Sequence, residues 1–317
     1  MDGLPSTKKA RMAAAFGAIA PIFLLLLLGF ALGLRAFPGA GFWPLVERLV
    51  YVVLFPALLI RSTAAIDPTG EIWRIAVVVL LPILLVMALT AFVGPRFGLG
   101  QQLVPAVAQA ATRQNVYIAF AAAIAAWGEA ALLPLGIAVA AYAPGVNLAA
   151  ALLLGMNAQE RLRPMALVRA LVLNPLVLAC ALGFALGLGR IELPAVIDEV
   201  LRILALASLP LALMATGAGL RWQGLSAERG WLIGTAVFKL AGQPLLTLAL
   251  GMALGLDGLT LAVVVLFAAL PLSPTAYVQT RAMGGHALFM ANAVALQTLA
   301  SMLTLPFVLI LLKTLVE

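Results

Sequence analysis

The chain has 317 residues, of which 64% are hydrophobic and 10% charged, with a mean hydropathy of +1.14. A soluble domain of this size would carry about a quarter charged residues, so that class is excluded. The net charge of +7 comes from basic residues set singly at the ends of apolar runs, where headgroup contact and cytoplasmic retention account for it without nucleic acid. Apolar runs of about 20 residues recur from end to end, each long enough to span a bilayer as a helix. Stretches such as Ile22–Leu28 and Leu261–Leu270 are continuously apolar and lack the period-two alternation of a barrel. The expected fold is therefore an all-α membrane protein.

Taken in chain order, the predicted spans are 16–34, 44–65, 72–94, 103–126, 130–154, 165–188, 196–220, 230–255, 259–282 and 287–312. Lys8, Lys9 and Arg11 precede the first like the n-region of a signal peptide, but Ala13–Leu34 is too long for an h-region, so residues 1–15 read as a tail before a true span. The single cysteine, Cys180, lies inside an apolar run and excludes a disulfide framework. The most polar connection, Gly155–Arg163, falls halfway along the chain.

The two halves resemble each other. GFALGL occurs at Gly29–Leu34 and again at Gly183–Leu188, an offset of 154 residues, and the same offset pairs Pro21 with Pro175 and Pro56 with Pro210. Each half, 16–154 and 165–312, holds five spans, so the second copy enters the membrane inverted. Inverted repeats are characteristic of secondary transporters, whose substrate sites lie near the midplane where the halves meet.

Two spans are interrupted at their centres, at the same place in each half. The fourth carries Thr112, Arg113, Gln114 and Asn115; the ninth carries Leu270–Ala276, with Pro271 and Pro274. Each proline lacks an N–H and clashes with a carbonyl one turn back. A helix broken in mid-membrane survives only where it is buried in protein or lines a wet cavity, and half-helix N-termini suit a carboxylate or phosphate. The candidate substrate-binding set is Arg113, Gln114, Asn115, Ser273, Pro274, Thr275 and Ala276, with Asn147 and Gln297 beside it. Lys239 lies roughly 12 Å along the helix from the nearest interface, beyond easy snorkelling, and reads as an ion-replacing charge supported by Gln243. Arg113 either faces the cavity as an anion-attracting charge or points to a nearby interface. Asn147, Gln243 and Gln297 are each either a cavity ligand or interhelical glue worth about 1 kcal/mol.

All twelve acidic residues fall at span ends or in loops, which leaves a cation antiporter without its exchanging carboxylate. His286 is the only histidine, so neither a metal cluster nor Ser-His catalysis has material, and no cofactor, metal or catalytic residue is expected.

PIFLLLLLGFALGL, LVYVVLFPALLIRS, TRQNVYIAF, LVLNPLVLACALGFALGL, LPLALMATGAGL, FKLAGQPLL and ALPLSPTAYVQTRAMGG, in this order, resemble successive spans of the auxin efflux carrier family, which joins bacterial permeases to the plant PIN auxin transporters. More distantly they resemble the bile acid:sodium symporter fold. The resemblance implies two inverted five-helix repeats with crossing broken helices 4 and 9. It implies a scaffold domain from spans 1, 2, 6 and 7 (16–65 and 165–220) and a mobile transport domain from spans 3–5 and 8–10 (72–154 and 230–312) that moves as an elevator. The cargo it implies is a small organic anion, a carboxylate or an auxin-like weak acid, moved by efflux; Asn115 matches the substrate-contacting asparagine and Lys239 the family lysine. Span three lacks the carboxylate that partners this lysine in plant members. Expected partners are that anion, the bilayer and a second copy of the chain through the scaffold domain. The expected location is a bacterial inner membrane with the N-terminus outside. A sodium-coupled bile-acid-type symporter is the alternative within transport; a non-transporting receptor or structural subunit is the alternative outside it.

Overall fold

The computed structural model describes residues 8–39, 41–64, 72–155, 172–221 and 228–316, with side chains from Phe16 onward. Arg161, Arg163 and Arg169, basic residues that accord with an outside N-terminus, lie outside these residues, as do most of the midpoint connection and the start of the sixth predicted span.

Every regular element among the described residues is helical. In chain order they are α1 (Lys8–Leu34), α2 (Phe42–Ala64), α3 (Ile72–Val93), α4a (Val104–Thr112), α4b (Val116–Trp127), α5 (Leu132–Gly155), α6 (Pro175–Gly189), α7 (Ala195–Ala218), α8 (Arg229–Ala253), α9a (Gly258–Ala268), α9b (Pro274–Ala282) and α10 (Ala287–Val316). Among the described residues seven stretches are long and apolar enough to cross a membrane, against the ten spans expected. The difference has two sources. Val104–Gly155 joins α4 and α5 into one apolar stretch, and Pro175–Gly189 and Gly258–Ala268 are short, the second because its helix breaks.

Two helices slip register in mid-length. α2 contains a π-turn at Val50–Leu54 and α8 one at Phe238–Gly242, each just ahead of a proline, Pro56 and Pro244. The missing N–H and the ring's clash with the preceding turn disrupt the regular ladder there. In α8 the widened turn carries Lys239.

The repeated GFALGL segment has a packing role. α1 lies along α7, and α6 along α2. A Cβ at Gly29 would sit 2.0 Å from the Met214 carbonyl oxygen; one at Gly183 would sit 2.6 Å from the Ile60 carbonyl oxygen and 2.0 Å from Thr63 Oγ1. Gly33 meets Ala218 and Gly187 meets Ala64 in the same manner. Both pairs of contacts are related by the 154-residue offset of the repeat. Small residues let the helix backbones approach to a distance at which dispersion and Cα–H contacts act without a hydrophobic driving force.

The outer surface stays apolar, with Leu24, Leu85, Leu206 and Phe307 all exposed, while polar side chains such as Gln109, Asn115, Lys239 and Gln297 are buried. That inside-out distribution of polarity suits a lipid solvent.

Candidate functional site

The two broken helices meet. In α4 the chain leaves the helix at Arg113, which is extended (φ −80°, ψ 135°), and re-enters at Asn115, whose Oδ1 accepts hydrogen bonds from the Tyr117 and Ile118 N–H groups at 3.1 and 3.2 Å. Asparagine at this position satisfies two of the orphan donors of α4b. In α9 two prolines make the break. Ser273, held extended by Pro274 behind it, precedes α9b without a side-chain cap.

The backbone groups freed by the breaks find partners across the crossing. The Asn115 N–H donates to the Pro271 carbonyl at 2.9 Å. Gln297 of α10 ties both breaks together: its Oε1 accepts from the Leu272 N–H at 3.0 Å, and its Nε2 donates to the Ala110 carbonyl at 2.9 Å. Lys239 donates to the Ala268 carbonyl at 2.8 Å, at the C-terminal end of α9a, and to Gln114 Oε1. The Gln114 N–H donates to the Tyr142 hydroxyl at 2.6 Å. Lys239 is fully buried, and its charge lies against the negative end of a half-helix, where a cation is stabilised.

Beside the crossing is a cavity of about 950 Å³. Its walls come from α2 (Glu47, Tyr51), α4 (Arg113, Gln114), α5 (Tyr142, Asn147), α6 (Leu176, with Asn174 at its N-cap) and α9b (Thr275, Gln279). All four tyrosines of the chain, Tyr51, Tyr117, Tyr142 and Tyr277, line it. Of the fourteen phenylalanines only Phe55 does, so the aromatic surface here has been given hydroxyls, as suits an occupant with both a flat apolar part and polar groups.

The sequence-derived residues divide into two groups. Arg113, Gln114, Asn147, Ser273 and Thr275 line the cavity. Asn115, Lys239, Gln243, Pro274, Ala276 and Gln297 are buried and are not part of its lining. Gln297 is the strut between the breaks, the second of its two predicted roles. The amide nitrogen of Asn115 and Oε1 of Gln243 have no hydrogen-bond partner. For Arg113 the structure selects the cavity: the side chain is 5% exposed and bonded to Gln109 Oε1 at 3.1 Å, to Asn147 Oδ1 at 2.8 Å and to Gln279.

Sequence reasoning missed the tyrosines, Glu47, Asn174 and Gln279. Glu47 sits near the start of α2, which by hydropathy is a span end, yet it lines the cavity. The tyrosines were the one available signal, since a chain with four tyrosines and fourteen phenylalanines places its hydroxyl-bearing rings selectively.

Residues 156–309 match the family described as membrane transport protein. The match covers just under half of the chain. The match and the long apolar helices together indicate a membrane transport protein. No curated protein matches the chain.

Proposed function

We propose that the transporter moves a small organic anion, a carboxylate or auxin-like weak acid, by alternating exposure of the cavity at the crossing of α4 and α9. The observation that carries this reading is the crossing itself, two helices broken at mid-length and held together by the Asn115–Pro271 hydrogen bond beside a cavity. Irregular backbone at that depth is expected only where it lines a cavity or is buried in protein. Half-helix N-termini at Val116 and Pro274 supply partial positive charge for a carboxylate. Asn115, buried outside the present lining, keeps an unpartnered amide donor that the carboxylate would meet as the crossing shifts, and Lys239 offsets the carbonyl end of α9a.

The finer architecture belongs to the same reading. Ten spans in two inverted repeats are supported by the duplicated glycine contacts of α1–α7 and α6–α2. Those four helices form the scaffold and, in pairs of chains, a homodimer; α3–α5 and α8–α10 form the transport domain, which moves as an elevator. The direction is efflux, the membrane a bacterial inner one, and the N-terminus outside.

Uptake of a panel of labelled carboxylates by proteoliposomes tests the proposal, with and without sodium and proton gradients. Flux of at least one carboxylate is expected without a sodium requirement. A strict sodium requirement points to the bile-acid-type symporter, and no flux with folded protein points to a receptor or structural subunit.

A further inference from the structure

Three arginines line the cavity, and their surroundings differ. Arg48 and Arg281 are exposed. Arg113 is buried. Its hydrogen bonds go to amide oxygens on three helices, Gln109 of α4a, Asn147 of α5 and Gln279 of α9b, the Tyr142 hydroxyl also faces it, and none of these is a carboxylate. Its Nε has no partner. Glu47 is the one carboxylate in the lining, and it is not among the partners of Arg113. A cation taken out of water is normally set against an anion, because neutral dipoles do not recover what hydration supplied.

We propose that Arg113 sets the charge of the cargo: the site takes organic anions bearing one negative charge and rejects dianions and neutral molecules of the same shape. This rests on the organic-anion reading above and narrows it.

The geometry shows how the anion would seat. A carboxylate binds guanidinium through two parallel N–H···O bonds. Nη1 is engaged by both Gln109 and Gln279, whereas the Nε–Nη2 edge holds a single bond, Nη2 to Asn147 at 2.8 Å, and a buried Nε without a partner. A carboxylate meeting that edge takes the place of Asn147 on Nη2 and, with a small turn of the guanidinium that uncovers the buried Nε, satisfies both nitrogens. One guanidinium neutralises one charge. The second carboxylate of a dianion finds no second buried guanidinium: Arg48 and Arg281 also line the cavity but are exposed, and an exposed ion pair recovers little of the lost hydration. A neutral amide leaves the guanidinium as unpaired as it is at rest, and a site built around a buried polar group rejects the analogue that fails to pair it.

The test is isothermal titration calorimetry of the purified transporter near neutral pH with two matched series: benzoate, isophthalate and benzamide, and butyrate, succinate and butyramide. The first puts a ring against the tyrosines. In wild type, the monoanion of at least one series is expected to bind about tenfold or more tighter than its dianion and its amide. Arg113→Gln should remove that preference; Arg113→Lys, which keeps the charge, should retain it in part. Asn147→Ala, which removes the resting partner of Nη2, should tighten the monoanion. Should Arg113→Gln fail to fold, the lysine and Asn147 variants carry the test. A dianion bound as tightly as its monoanion, a preference that survives Arg113→Gln, or weaker monoanion binding by Asn147→Ala overturns the role of Arg113. Failure of every carboxylate in both series to bind wild type overturns the organic-anion reading itself.

Discussion

Replacing Gln297 with leucine should separate the two broken helices without changing the volume of the core. Gln297 is fully buried, as are both residues whose backbone it holds, Ala110 and Leu272. Leucine fills similar space and makes neither bond, leaving the Leu272 N–H and the Ala110 carbonyl unpaired where water does not reach. Each abandoned group costs about 1–3 kcal/mol, so the pair costs about 2–6 kcal/mol, a large part of the roughly 5–15 kcal/mol that stabilises a typical fold. Denaturant unfolding of the purified protein in mixed micelles, followed by tryptophan fluorescence, measures the loss. Leu299→Ala, on the same helix but 54% exposed on the outer surface, should change stability by no more than about 0.5 kcal/mol. Gln297→Glu should fall between the two, since a carboxylate accepts from Leu272 but gives no donor to Ala110. If Gln297→Leu unfolds at the same denaturant concentration as Leu299→Ala with an unchanged slope, the strut reasoning is wrong.

Lys239→Met should abolish flux in proteoliposomes while destabilising less than Gln297→Leu, because removal of a buried charge offsets much of the lost bonding at Ala268 and Gln114; wild-type flux would remove Lys239 from the mechanism. Asn115→Ala should stop transport and weaken the α4b cap by about 0.5–2 kcal/mol, whereas Asn115→Asp keeps the acceptor for Tyr117 and Ile118 but loses the free amide donor, so it should stop transport with stability intact; undiminished flux in either excludes Asn115 from binding. Gly29→Ala and Gly183→Ala should each cost about 1–3 kcal/mol by overpacking, read as a lowered thermal midpoint, because the new methyl would lie 2.0 Å from Met214 O or Thr63 Oγ1. Gly17→Ala, with nothing within 4 Å, should leave the midpoint unchanged, and equal effects at all three glycines would refute the close-packing account.

What the sequence determined by itself is local. Apolar length and scarce charge make membrane helices, since backbone groups in lipid can be satisfied only within the helix. Pro271, Pro274 and Asn115 end or start helices through their own covalent chemistry, so both breaks could be placed from sequence. The 154-residue offset was legible too, but its glycines looked like relics of duplication until the contacts with Met214 and Ile60 gave them a packing role. The tertiary structure decided which polar residues face the cavity and which hold it together. Asn115 and Gln297 look like ligands in sequence and Lys239 like an ion-replacing charge; the structure buries all three outside the cavity lining, with Gln297 and Lys239 bonded across the crossing and the Asn115 amide nitrogen left without a partner. Glu47 looks like an interfacial charge and lines the cavity. The tyrosines come from α2, α4b, α5 and α9b, helices whose approach no local pattern specifies. A side chain's partner across a helix interface depends on rotation and crossing angle, and these are set by packing between segments more than a hundred residues apart, such as Lys239 with Gln114.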